Sequence, residues 1–202
     1  MTRMATKHPD HPGTRQIPPR SATGLGHYLA DYQARISDTD WADSLAVRQA
    51  AQAVVGMICD QTVEEVWVST DRSRVEGGRC RFTGSGEAHL ASIPLLAAPR
   101  ADTRRLAELG YDEMTRAAAE TLRGQADLAT VYERLREGWV IWWSQAHRDA
   151  HTLLEERAVW EAITTLSEEL RRRGRLTDAT IRDLIGDPAE LTDHPVWRPT
   201  LP

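Results

Sequence analysis

The alternation of apolar and polar positions divides the chain into a helical start, a short β region and a long helical remainder. Between about 41 and 59, Leu45, Ala46, Ala50, Ala53, Val54 and Met57 recur at spacings of three and four. That period gives one buried stripe on a helix. Asp38, Asp40 and Asp43 offer cap chemistry at its start. A shorter helix is expected over about 25–36. Val63-Glu-Glu-Val-Trp-Val68 is rich in β-branched and aromatic residues, so it reads as a strand. Glu76-Gly77-Gly78 reads as a turn and Arg79–Thr83 as a second strand, giving a β-hairpin near 63–83.

From Gly86 onward the pattern is helical. Pro94 and Pro99 are expected to break or bound the first piece. Helices of about 102–122, 127–137 and 139–173 follow, the last with a seam through Trp139, Trp143, Ala146, Ala150, Leu153, Val159, Ile163, Leu166 and Leu170. Gly174 sits after Arg171-Arg172-Arg173, which suits the negative end of a helix dipole. Thr177 is a good N-cap for a final helix of about 178–186. The predicted class is therefore mainly α with a small β-hairpin or sheet (α+β).

Both ends lack a periodic apolar face. Residues 1–23 carry four Pro and few large apolar side chains, so they are expected to be a disordered tail. His8 and His11 there make only an isolated H-x-x-H pair. Residues 187–202 form a Pro-rich tail with an isolated Trp197, and 190–202 are expected to be dispensable for folding. The folded domain is thus expected over 24–186.

Composition narrows the function classes. The chain has 202 residues and a net charge of −5, which disfavours a nucleic-acid or anionic-membrane partner, since both need a basic footprint. No apolar run approaches the ~20 residues needed to span a bilayer. Cys59 and Cys80 have no metal-type spacing, and they read as thiols in a reducing cytoplasm. No phosphate-loop signature and no nucleophile elbow is present.

One stretch raises a more specific expectation. Arg48-Gln-Ala-Ala-Gln-Ala-Val-Val55 is followed by Gln61–Ser69, Gly77-Gly-Arg-Cys80 and Gly124-Gln-Ala-Asp-Leu128. In order and spacing these resemble the peptidase domain of the FtsH-like zinc metallopeptidases, especially short stand-alone actinobacterial forms. Leu153-Leu-Glu-Glu, Trp160-Glu-Ala-Ile, Arg173–Thr177 and Ile181–Ile185 resemble that family's C-terminal helices. The likeness covers roughly 41–186 and implies a metallopeptidase-like helical domain. In that family the frame at 48–55 reads His-Glu-Ala-Gly-His-Ala-Val-Val, and an Asp opening a later helix supplies the third zinc ligand.

The resemblance places Arg48 and Gln52 at the two His positions, Gln49 at the general base and Asp127 at the third ligand. A guanidinium repels a cation, Gln cannot accept the proton of a metal-bound water, and an amide is a poor zinc ligand. The expectation is a degenerate site with no catalytic residues and no cofactor, in a protein that binds or regulates a protein or peptide partner. A homo- or hetero-oligomer, including a structural subunit paired with an active relative, is a further expectation. Arg48 is expected either to pair with Asp127 in place of the metal bond, or to reach solvent while Asp127 caps a helix starting near Leu128. The enzyme alternative is a metal-dependent peptidase or hydrolase with a relocated ion. His147, His151 and Glu155, at i, i+4 and i+8, would hold that ion on one helix face; otherwise that row is a solvated edge.

Overall fold

A computed structural model describes residues 31–32, 34–69, 77–83, 87–136 and 142–196. The expected tail at 1–23, most of the expected helix at 25–36, Trp139 and Trp197 lie outside these residues. The described chain is mainly helical with one small antiparallel sheet, as its apolar periodicity predicts. Helix α1 (Asp38–Ile58) is followed by β1 (Thr62–Val68), β2 (Gly78–Thr83), α2 (Ala88–Glu108) and α3 (Glu113–Arg136). Then come α4 (Trp143–Glu155), α5 (Arg157–Arg173), β3 (Arg175–Thr177), α6 (Asp178–Ile185) and a 3-10 turn, Pro188–Glu190.

Helix α1 starts earlier than its apolar stripe. Ser37 is the N-cap, and its hydroxyl accepts from the Asp40 amide. The aspartates expected as caps do other work. Asp40 accepts from the Tyr111 hydroxyl at 2.7 Å. Asp43 accepts from Arg105 at 2.6 Å and from Arg171 at 2.7 Å. From Asp43 to Met57 every residue of α1 is buried, so this is the central helix and not a half-exposed one. At its end, the Asp60 amide bonds Met57 O and the Gln61 amide bonds Gly56 O. This is a Schellman cap, with Asp60 in the left-handed region at φ 59°.

The sheet runs β2-β1-β3. A register shift between Val63 and Glu65 interrupts the β1–β2 ladder. The bulge lets Val63 and Val66, three apart, both turn inward. They join Cys80, Leu176 and the Ala/Val face of α1 in one core with α2, α4, α5 and Ile181 of α6. Strand β3 has no counterpart among the predicted elements. Its three residues pair with Glu65–Trp67, and it begins just after Gly174, whose φ of 74° ends α5.

Three predicted boundaries are corrected. Pro94 and Pro99 do not interrupt α2; both lie inside it. A proline at 94 cannot donate to the Leu90 carbonyl, and the Gln61 side chain supplies that donor instead, at 3.2 Å. The break falls at Gly110, whose φ of 88° suits glycine, so helix 102–122 is split. Gly124 does not break α3, where it lies beside Pro99. The long helix expected over 139–173 is two helices, separated at Glu156 by an extended backbone (φ −65°, ψ 125°).

The Pro-rich segment after α6 does not simply trail away. Pro188 is buried, and Leu191 and Val196 pack on the main core. Residues 191–196 thus make core contacts that the reading of a plain tail did not include. No helix among the described residues is long and apolar enough to cross a membrane.

Candidate functional site

Helices α1, α2 and α3 meet around a charged cluster with almost no access to solvent. Ser44, Arg48 and Gln52 lie one turn apart on α1, Arg123 and Asp127 one turn apart on α3, and Asp102 comes from α2. Residues four apart share a helix face, so two such rows plus one carboxylate converge on a single region. Arg48 is 3% exposed and Asp102 is fully buried.

Arg48 does pair with Asp127. Its Nη2 donates to Asp127 Oδ2 and also to the Arg123 carbonyl at 2.9 Å. Gln52 Nε2 donates to the other oxygen, Asp127 Oδ1, at 3.1 Å. The contact is not bidentate, because one nitrogen serves both acceptors. Asp127 lies in mid-helix, so the alternative that it caps a helix near Leu128 is excluded. Burial pushes its carboxyl above the usual range, and Arg48 and Gln52 pull it back only in part.

Asp102 and Arg123 form a second pair that no sequence motif singles out. Arg123 Nη1 donates to both Asp102 oxygens, at 2.7 and 2.9 Å, and to Ser44 Oγ at 2.9 Å. The guanidinium also lies 3.6 Å over the Trp41 ring, a favourable cation–π placement. Arg48 Nη1 stands 4.0 Å from Asp102 Oδ2. Two cations and two anions therefore balance within one buried region.

The donor set does not fit zinc. Of Arg48, Gln52 and Asp127, only Asp127 is a competent ligand, and each of its oxygens already accepts a hydrogen bond. Gln49 is also buried, and its Oε1 has no hydrogen-bond partner. Its side chain lies against Gly78. An amide there can orient a hydrogen bond but cannot take up a proton.

The alternative metal row is not assembled. His147 is half-buried beside Arg100, whereas His151 and Glu155 are exposed. Arg100 Nη2 lies 3.1 Å from His147 Nδ1, which sets a cation where the ion would need a lone pair. Among the described residues no three His, Cys, Asp or Glu side chains come together as a metal site. Cys59 and Cys80 are buried and unbridged, and burial pushes the Cys80 thiol far up, leaving it unreactive.

A second polar group was not foreseen. Asp149 of α4 is buried and accepts from Gln145 at 2.8 Å. His194 Nε2 lies 3.4 Å from its Oδ1, and His89 Nε2 3.8 Å from its Oδ2. His194 also borders an open cleft of about 700 Å³ between the Met57–Thr62 corner and residues 187–196. That cleft contains none of Arg48, Gln49, Gln52 or Asp127.

Burial pushes the His89 imidazole below its ordinary value, with Asp149 opposing in part, and burial and Arg100 do the same to His147. The unfolded chain then binds these protons first as pH falls. Stability is full above the unfolded histidine value of ~6.5 and is lost as pH drops from there toward the folded values, by at most about 1.4 kcal/mol per pH unit for each group. Urea midpoints should therefore fall between pH 7.5 and 5.5, and His89→Gln should flatten that fall. Identical pH slopes in wild type and variant would remove His89 as a source.

No protein-family model and no curated protein matches this chain.

Proposed function

We propose that this chain is a catalytically degenerate relative of the FtsH-type zinc metallopeptidases that binds or regulates a protein or peptide partner. The observation that carries the reading is the contact of Arg48 and Gln52 with Asp127. The resemblance assigns the three metal-ligand positions to these residues, and they do converge, from two helices, on one point. A guanidinium–carboxylate pair occupies that point, which supports reading it as a metal-site scaffold whose chemistry has been replaced. The protein then works by binding, as a partner-recognition subunit or a regulator of an active relative, in a reducing cytoplasm.

The test reverses the replacement. Arg48→His, Gln49→Glu and Gln52→His together should give a protein that binds one zinc ion per chain, and adding Asp127→Ala should weaken that binding about 10-fold or more, since a ligand is lost. Wild type should show no chelator-sensitive cleavage of unfolded casein. If the triple variant folds but takes up no more zinc than wild type, the three positions do not have metallopeptidase geometry and the reading fails.

A further inference from the structure

Arg100 of α2 is a half-buried guanidinium without a carboxylate. Among the described residues its only hydrogen-bonding neighbour is the His147 ring, at 3.1 Å. The next arginines on the same helix differ: Arg104 meets Glu108, and Arg105 meets Asp43 and Glu108. A guanidinium can only donate, so His147 Nδ1 accepts and the ring carries its proton on Nε2. Both members of the pair thus present N–H groups outward. Neither Nε nor Nη1 of Arg100 is both sealed from solvent and without a partner.

Aromatic surface continues from this pair. Trp143 meets His147 edge-on, with centroids 4.8 Å apart at 71°. Tyr132 of α3 lies nearly parallel to Trp143, at 6.3 Å and 16°. Tyr132 is 54% exposed, and Leu128, one turn earlier on the same helix, is also exposed. The string therefore runs from an unneutralised cation, through a neutral donor, to an open aromatic face. A free guanidinium held in place by a neighbour has its side-chain ordering cost already met, and a charge-assisted bond to an oxyanion is the strongest contact it can make.

We propose that Arg100, His147, Trp143 and Tyr132 form a binding site for an oxyanion, a carboxylate or a phosphate, carried on a planar or apolar group. The oxyanion sits on Arg100 and the His147 Nε2–H, and the attached group lies on the Trp143–Tyr132 face. This site is separate from the Arg48–Asp127 cluster and stands whether or not the metallopeptidase reading does. It also turns the chemistry of His147 around, from a metal ligand to a donor that favours anions.

Tryptophan fluorescence titrations with hippurate, phenyl phosphate and benzylamine test it. At least one of the two anions should bind saturably, and benzylamine should not. The tighter anion identifies the natural head group as carboxylate or phosphate, and equal binding supports the shared chemistry. Arg100→Gln should weaken anion binding about tenfold, as expected for loss of one charge-assisted contact. Tyr132→Ala, at a position too exposed to endanger folding, should weaken it measurably while leaving the melting temperature unchanged. Failure of both anions to bind, benzylamine binding as tightly as they do, or full affinity in both variants overturns the proposal.

Discussion

Arg48→Ala lowers the unfolding free energy by about 3–5 kcal/mol, the usual cost of removing one side of a buried ion pair. Asp127 is left facing Gln52 alone, and the Arg123 carbonyl loses the Nη2 donor. Nothing else in the cluster can turn to replace a guanidinium, because Arg123 is committed to Asp102 and Ser44. The pair itself need not add net stability: Arg48→Met with Asp127→Leu should recover much of the loss, since both charges then go together. Chemical denaturation of the two single variants and the double gives the coupling directly, expected within ~0.5–3 kcal/mol. Additive single effects would mean that the contact between these side chains carries no energy.

The second large effect lies in the core. Leu153 of α4 is fully buried in the main core, and Leu153→Ala should cost ~2–5 kcal/mol through lost burial and the cavity left behind. Two residues earlier, His151 is exposed, and His151→Ala should stay within about 0.5 kcal/mol. The contrast separates the two accounts of this helix. If the His row held an ion, His151→Ala would cost as much as a core substitution and would release stoichiometric zinc.

What the residues reveal in advance follows from how local each determinant is. The Ala/Val stripe of α1 and the V-E-x-V-x-V strand are local, and both elements form where their patterns lie. The Arg48–Asp127 pair was anticipated only through the resemblance, since 79 positions separate its members. Asp102 and Arg123 were not legible, because nothing in the chain marks which charges packing will turn inward. Pro94 misleads for a related reason: the Leu90 carbonyl it leaves without a helical donor is met by a distant side chain, Gln61, just before β1. The break at Glu156 has no Gly or Pro to announce it. Strand β3 is too short to carry a period of its own, and only its partner β1 makes it a strand.

That last point bears on how the molecule assembles. Strands β1 and β2 are near neighbours in the chain, but β3 reaches β1 through the pairing of Arg175–Thr177 with Glu65–Trp67, across a loop containing α2 through α5. Closing so long a loop costs entropy that short-range contacts do not. The hairpin and the helices are therefore expected to form first, with the third strand docking late, delivered by the end of α5. Until then one side of β1 is an open edge able to pair with another chain. The order of assembly makes the α5–β3 junction at Gly174 the last safeguard against misassociation, and a chain that stops short of it would meet the cell with that edge uncovered.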